Sequence, residues 1–203
     1  MRTLILARHA HAESNAGEFV NSTPPGGGLS DEGREESGLL GSLVASDPID
    51  VGFSSRLLRT QETLALALAT RSVPRFVEPL LDEIGFGSFD GGSLAAYRRW
   101  AWENEPDEPC PGGGESRTDA ARRFADALSV LLARPEETLL VVSHALPIRY
   151  VIDASDGRFP AARLAQVAHA TPFRLERDAV HLAAEVLRGW AEAPRFADTP
   201  FGG

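Results

Sequence analysis

Apolar runs of strand length alternate along this chain with segments that have the apolar spacing of helices. The strand-length runs cover residues 3–7, 51–53, 75–77 and 138–142. The first and last are too continuous for strands with one face in water, because such strands alternate apolar and polar residues. Runs of this kind are typical of a parallel sheet that is covered on both faces.

Four segments between these runs carry the start signals of helices. A serine stands just before three of them, where its hydroxyl can accept a hydrogen bond from the first turn. Ser116 and Asp119 form a capping box before the fourth, which Pro135 ends. The first three predicted helices cover residues 31–45, 56–70 and 94–103, after Ser30, Ser55 and Ser93.

The order of these elements predicts the fold class. Strands that alternate with helices favour a three-layer α/β/α sandwich with right-handed crossovers and a mainly parallel central sheet. Residues 173–177 and 180–187 suit a late hairpin, although the second segment also fits a helix. From the length we expect one domain over 1–203, with a small insert at about 86–115 and a peripheral tail at about 191–203.

Composition and charge exclude several kinds of partner. The net charge of −9 opposes general affinity for nucleic acid or anionic membranes. No apolar run reaches the roughly 18 residues that a membrane helix needs. The single cysteine, Cys110, cannot form a disulfide within the chain, and the N-terminus enters a strand without the apolar segment of a signal peptide. We therefore expect a cytoplasmic protein, and the sequence leaves its oligomeric state open.

Polar side chains follow the strands or open the helices at several points. Arg8 and His9 follow the first strand, Arg59 lies in the first turn of a helix, Glu83 follows a short apolar run, and His144 follows the last strand. In a parallel sheet these positions share the carboxyl edge, where open α/β folds hold their ligands. Two guanidiniums, two imidazoles and one carboxylate are therefore expected to converge.

This set of groups suits a phosphate ester. Guanidiniums grip the non-bridging oxygens of phosphate, over which charge is spread during phosphoryl transfer. An imidazole can act as the nucleophile, and a partly desolvated Glu83 can hold a proton near neutral pH and donate it to the departing oxygen. Helix starts near Arg56 and Pro147 add the positive ends of two helix dipoles.

Five blocks of sequence carry a resemblance. They are Arg8-His9-Ala10 with Glu13 and Asn15, Leu29-Ser30 with Gly33, residues 54–63, Leu81-Asp82-Glu83 with residues 86–91, and residues 141–144. Each block alone is a weak match. In this order, the five resemble the histidine phosphatase superfamily in its phosphoglycerate mutase-like branch.

The resemblance implies a two-step phosphoryl transfer without metal or cofactor, in which His9 becomes phosphohistidine while Glu83 protonates the leaving group. It implies a small phosphomonoester as the partner. The groups that would hold this substrate are Arg8, Arg59 and His144 around the phosphoryl group, with Asn15 and Ala145 at the pocket wall.

The expected activity is that of a metal-independent, histidine acid-type phosphatase. Hydrolysis is preferred to mutase chemistry because the segment between Glu83 and Glu115 is short and leaves little cap to exclude water. The alternatives are a phosphoglycerate mutase-type phosphotransferase and a phospholigand-binding protein with weakened catalysis. The second alternative follows from Ala10 and Ala145, which stand where the family has, or often has, glycine; each is expected to add a methyl group beside the phosphate pocket.

Two further features have competing interpretations. His9, His11 and Glu13 alternate along the chain, as metal ligands of a hydrolase would, but no histidine further on has a partner at ligand spacing. His11 is therefore expected in a loop near the pocket mouth. Arg98 and Arg99 are expected to be a solvated pair; the alternative, taken from some mutases, is a grip on a substrate carboxylate.

Overall fold

Residues 1–197, which the computed structural model describes, form layers of helices around a five-stranded sheet. The strands are β1 Thr3–Arg8, β2 Val51–Ser54, β3 Arg75–Val77, β4 Thr138–Ser143 and β5 Pro172–Glu176. Across the sheet they stand in the order β3-β2-β4-β1-β5. β1, β2, β3 and β4 pair in parallel, and β5 runs antiparallel to β1. The predicted mainly parallel sheet is therefore confirmed.

Helices lie on both faces of this sheet. They are α1 Glu13–Ala16, α2 Asp31–Leu43, α3 Leu58–Ala67, α4 Leu94–Glu103, α5 Arg117–Leu132, α6 Ala145–Ser155 and α7 Arg177–Glu192, with short 3-10 turns at Pro79–Leu81 and Gly87–Phe89. Within the described residues, none of the helices has the length and apolar content needed to cross a bilayer.

Alternation along β1 shows how the two faces are filled. Adjacent strand residues point to opposite faces. Leu4 and Leu6 join the apolar cluster formed with α5, α6 and α7, whereas Ile5 and Ala7 join the cluster formed with α2 and α3. All four are buried. The central strand is covered on both faces, so the predicted three-layer sandwich is confirmed.

The predicted late hairpin is wrong in its second half, because residues 180–187 lie inside α7. The buried positions Val180, Ala183, Leu187 and Trp190 recur every three or four residues, which is the helical period. This face packs against α5 and α6. Residues 180–187 therefore pack against helices and not against a strand, and the alternative prediction of a helix for this segment is correct.

The segment 86–115 lies between β3 and β4 in the chain and contributes no strand to the sheet. It contains the Gly87–Phe89 turn and α4. The backbone N–H of Val20 donates to the Gly92 carbonyl at 2.8 Å, which ties this segment to the loop after α1. Of the predicted tail, Phe196 lies against Trp190 with ring centroids 5.9 Å apart, and residues 198–203 lie outside the described part of the chain.

Candidate active site

The predicted site residues gather at the carboxyl edge of the sheet. β1 and β4 are parallel, with Arg8 opposite Ser143, so the next residues, His9 and His144, leave the sheet side by side. Their ring centroids are 5.3 Å apart. A cavity of about 610 Å³ opens here. Its lining includes six of the predicted residues, Arg8, His9, Asn15, Arg59, Glu83 and Ala145.

The hydrogen bonds of His9 fix its tautomer. Nδ1 lies 2.8 Å from the Ala10 carbonyl, and because a carbonyl only accepts, Nδ1 must carry the proton. Burial, with the charges of Arg59 and Arg8, holds the pKa of His9 well below its ordinary value. The ring is therefore neutral, and its Nε2 lone pair points toward Arg59, whose Nε donates to it at 3.2 Å.

His144 is fully buried and contacts the same arginine as His9. Its Nδ1 accepts from Nη2 of Arg59 at 3.3 Å, which leaves the proton on Nε2 for a bond to the Ser55 hydroxyl at 2.9 Å. Burial, followed by Arg59 and His9, lowers the pKa of His144 well below its ordinary value. Ser55 was expected to cap a helix. Instead α3 begins at Leu58 without a side-chain cap, and the serine orients His144.

The two arginines reach the cavity from different sides. Arg59 is buried and is also anchored by Asn21, whose carbonyl accepts from Nη2 at 2.9 Å. Arg8 is half-buried and donates from Nη1 to the Val167 carbonyl at 2.9 Å. Its Nε is buried, and no partner lies within hydrogen-bond distance in the described chain. Both arginines line the same cavity as His9.

Glu83 is the acid that lines the cavity, and its neighbour Asp82 is turned away. Asp82 accepts from the Arg56 side chain at 2.7 Å and from the Arg56 backbone at 2.8 Å. Burial raises the pKa of Glu83, opposed by a bond from the Ile84 N–H and by the charge of Arg59. A half-buried carboxyl with a raised pKa is suited to hold a proton.

Arg123 fixes the loop that carries Glu83, a role that the sequence analysis missed. From α5 it forms a bidentate pair with Glu115, at 2.7 and 2.6 Å. Glu115 in turn accepts from the Gly85 N–H at 2.8 Å. The same guanidinium donates to three loop carbonyls, those of Leu80, Asp82 and Glu83, at 2.9, 2.9 and 3.2 Å.

The two alanines at which the resemblance led us to expect glycine, Ala10 and Ala145, have different surroundings. Ala145 lines the cavity at the start of α6. Ala10 is fully buried in the apolar cluster beside α2 and α3, and its N–H donates to the Thr63 hydroxyl at 3.0 Å. The expectation that its methyl group stands beside the phosphate pocket is wrong, because the chain directs this residue into the core.

Four other predicted residues have clear positions. Asn15 accepts from the Ala12 N–H at 2.9 Å, and its side chain closes the first turn of α1. His11 lines the cavity, with Nδ1 2.8 Å from the Ser30 hydroxyl.

Among residues 1–197, no group of three or more His, Cys, Asp or Glu side chains is placed to hold a metal ion. The arginine pair divides, since Arg98 lines the cavity and Arg99 does not.

His169 is a third imidazole of the cavity, and no sequence pattern indicates this position. It precedes β5, which runs antiparallel to β1. The candidates from the sequence were residues that follow apolar runs or open helices, and a residue that comes before a strand was not among them. Its Nδ1 donates to the His9 carbonyl at 2.9 Å, and its ring lies 5.6 Å from the His9 ring. Burial, with the charge of Arg8, lowers its pKa.

Comparison with known proteins gives both sequence and structural relatives. A 2,3-bisphosphoglycerate-dependent phosphoglycerate mutase from Rhizobium etli is 34% identical over 166 residues, which are 73% of this chain and 78% of that protein. Phosphoserine phosphatase 1 from Hydrogenobacter thermophilus is 30% identical over 159 residues, covering 73% of this chain and 74% of that protein.

Solved structures share the fold. A putative alpha-ribazole-5'-P phosphatase from Escherichia coli has a TM-score of 0.75 at 24% identity, covering 86% of this chain and 90% of that one. A mycobacterial glucosyl-3-phosphoglycerate phosphatase has a TM-score of 0.73 at 24% identity, covering 86% and 92%. The sequence of residues 4–185 matches the histidine phosphatase superfamily (branch 1). The chain therefore belongs to the histidine phosphatase superfamily.

Proposed function

We propose that this protein hydrolyses phosphomonoesters through a phosphohistidine formed on His9. The observation that carries the proposal is the state of the His9 ring. It is neutral, its Nδ1 proton is held by the Ala10 carbonyl, and its Nε2 lone pair lies toward Arg59 at the floor of the cavity. A nucleophile needs an unprotonated nitrogen whose lone pair is oriented before the substrate arrives, and the substrate takes the place of the Arg59 hydrogen bond on Nε2 when it binds.

In the first step, Nε2 of His9 attacks phosphorus in line with the ester oxygen. The N–P bond forms, the P–O ester bond breaks, and the departing oxygen takes the proton of the Glu83 carboxyl. The raised pKa of Glu83 favours the protonated form that this step requires. The alcohol leaves, and Glu83 is left as a carboxylate.

In the second step, the Glu83 carboxylate takes a proton from water as the water oxygen attacks phosphorus. The N–P bond breaks, phosphate leaves, and the lone pair returns to Nε2. Arg8 and Arg59 stabilise the charge on the non-bridging oxygens in both steps. An oxyanion beside Arg8 would also give its buried Nε a hydrogen-bond acceptor.

Hydrolysis is preferred to transfer because water has access to the cavity. At its rim, Trp102 keeps 45% of its surface exposed and Phe19 keeps 38%. A mutase must hold its intermediate away from water until a second hydroxyl accepts the phosphoryl group. Phosphoglycerate mutase chemistry is the second candidate, because Arg98 lines the cavity and supplies a cation for a carboxylate.

The experiment combines turnover with trapping of the intermediate. The protein is incubated with p-nitrophenyl phosphate in EDTA, and the reaction is quenched in alkali, which preserves phosphohistidine. We expect steady release of p-nitrophenol and a phosphoryl group on the peptide that contains His9. His181→Ala is the control, since this imidazole is exposed on α7 and should not alter labelling.

Three results contradict the proposal. Turnover that stops in EDTA and returns with Zn²⁺ favours a metal-dependent hydrolase. Interconversion of phosphoglycerates far faster than hydrolysis favours the mutase. Binding of phosphate without turnover favours a phospholigand-binding protein.

A further inference from the structure

The cavity extends well beyond the phosphoryl site. Its inner end holds Arg8, His9, Arg59 and Glu83. The rest, which we call the outer compartment, is walled mainly by apolar side chains from the loop after α1, from α4, from α6 and from the loop before β5. Its walls include Phe19, Leu94, Tyr97, Trp102, Leu146 and Leu164.

The size of the cavity exceeds the needs of a small phosphorylated acid. Cavities of roughly 300–1,000 Å³ enclose most of the surface of drug-sized ligands, and this cavity measures about 610 Å³. A phosphoryl group with a three-carbon body would occupy only its inner end. The remaining volume therefore has room for a substantially larger carbon body.

The helix α4 turns an apolar stripe toward this volume. Leu94, Tyr97, Ala101 and Trp102 all line the cavity, and their spacing places them on one helical face, which also carries Arg98. Tyr97 and Ala101 are buried, but Trp102 remains 45% exposed. An apolar stripe normally packs on the protein core. Here its outer part faces the cavity, where a ligand would cover it.

The guanidiniums of the outer compartment do not make it a second phosphate site. Arg117 donates to the Ala162 carbonyl at 3.1 Å and lies 5.2 Å from the centre of the Phe196 ring. Arg163 lies 4.7 Å over the Trp102 ring. These contacts place Arg117 and Arg163 on carbonyl or aromatic partners. Arg98 is the third guanidinium of the compartment, and it stands among mainly apolar walls. A substrate there can carry one polar or anionic group at Arg98 while the rest of its body is apolar.

From these observations we infer that the substrate is an extended phosphomonoester whose carbon body is mainly apolar or aromatic and fills the outer compartment. This inference rests on the proposed function, because the inner end must hold the phosphoryl group. The occupant is a small molecule, since the walls come from four segments that surround a concave volume. A peptide chain would instead need an extended groove or sheet edge for its backbone.

The test is a series of ethyl, butyl and hexyl phosphates. Their leaving groups are all primary alcohols, so the chemical step stays nearly constant while the apolar body grows. We expect kcat/KM to rise with length, by up to about fourfold for each methylene that is buried. The non-hydrolysable alkylphosphonates of the same lengths should bind more tightly in the same order, with an increasingly negative heat capacity change.

Variants of the outer compartment sharpen this test. Trp102→Ala and Leu164→Ala should each lower kcat/KM for hexyl phosphate by about tenfold, as expected for the loss of a buried apolar contact. The value for ethyl phosphate should change less than twofold. Phe159→Ala is the matched control, because this side chain is 51% exposed on the same loop as Leu164 and lies outside the cavity.

The outcomes separate the inference from the proposed function. If the three esters are hydrolysed with equal kcat/KM, the inference is wrong and the proposed function stands. If none is hydrolysed but phosphonate affinity rises with length, the proposed function fails and the apolar site stands. A phosphoserine peptide hydrolysed with a kcat/KM tenfold above that of hexyl phosphate would overturn the small-molecule substrate.

Discussion

The two ends of the cavity are built in different ways. At the inner end His9, Arg59 and His144 are 4%, 3% and 0% exposed, and each is held by hydrogen bonds. In the outer compartment Trp102 and Phe19 are 45% and 38% exposed and are carried by a helix and a loop outside the sheet. Under the proposed function, the groups at the sheet edge carry out the chemistry, whereas segments outside the sheet contact the rest of the substrate. Variants at the two ends should therefore fail in different ways.

The largest effect is expected at the nucleophile. His9→Ala removes the atom to which phosphorus is transferred, so kcat should fall by at least ~10⁴-fold, in line with the loss of other nucleophiles. Stopped-flow and steady-state assays with p-nitrophenyl phosphate measure this loss, and thermal unfolding checks that the variant is folded. A variant that keeps more than a hundredth of the activity would show that another group is the nucleophile.

The next effect concerns Glu83. Glu83→Gln should lower hydrolysis of alkyl phosphates by roughly 10²–10⁴-fold, the contribution of a general acid. The burst of p-nitrophenol that accompanies formation of phosphohistidine should lose far less, because this leaving group needs no proton, whereas steady turnover should still fall because the second step needs the Glu83 carboxylate. Equal losses in the first step for both kinds of ester would exclude a proton-donor role.

The pH profile tests the same residue. Glu83 acts in its protonated form, and its pKa is raised, so kcat/KM should fall as pH rises through a pKa above the ordinary value of Glu. His9 acts in its neutral form, and its lowered pKa moves the acidic limb to low pH. In Glu83→Gln the alkaline limb should disappear. A profile with the same alkaline limb in both proteins would contradict the assignment.

A smaller effect is expected from Arg123, which contacts the loop of Glu83 but does not line the cavity. Arg123→Ala should lower kcat by roughly 10- to 100-fold, because displacement of a catalytic group by about 1 Å has this cost. Inhibition by inorganic phosphate should stay unchanged, since Arg8 and Arg59 remain in place. Arg122→Ala, one position earlier on α5, is the control. A loss of phosphate binding would show that Arg123 acts on the whole inner end.

The smallest effects come from the two alanines. Ala10→Gly removes a buried methyl group and should lower the free energy of unfolding by about 1 kcal/mol, with KM unchanged. Ala145→Gly should instead change KM by less than ~threefold, with a smaller loss of stability, because this methyl group faces the cavity. Denaturant unfolding and steady-state kinetics on the pair measure both quantities. The opposite pattern would indicate that Ala10 faces the cavity and that Ala145 lies in the core.

The inner end was the part of the molecule that the sequence could predict. His9 and His144 follow continuous apolar strands, and parallel pairing of those strands brings their ends together. Glu83 was likewise placed correctly at the cavity, although Asp82 stands beside it. For the two histidines a short local pattern was enough, because the sheet supplies the long-range geometry. Glu83 instead lies on a loop that Arg123 holds in place.

The supports of the inner end could not be predicted in the same way. Arg123 and Glu115 contact the loop that carries Glu83 although they lie about thirty to forty positions further along the chain, as the bond between Gly85 and Glu115 shows. No sequence spacing indicates such a contact. Ser55 was interpreted from the sequence as a helix cap, and only the folded position of His144 shows its actual contact. The outer compartment depends on loop conformations, which local propensities do not determine.

The loop before β5 touches both ends of the cavity. It contributes Leu164 to the outer wall, and it is bound to the end of β1 through the Val167 carbonyl, the His169 ring and the Ala170 N–H. The last two bonds go to the backbone carbonyls of His9 and Arg8. The backbone of this one loop therefore holds the end of β1 in place as well as forming part of the outer wall. Truncation of the Leu164 side chain leaves these backbone bonds intact, whereas a change in the length of the loop would disturb both ends of the cavity.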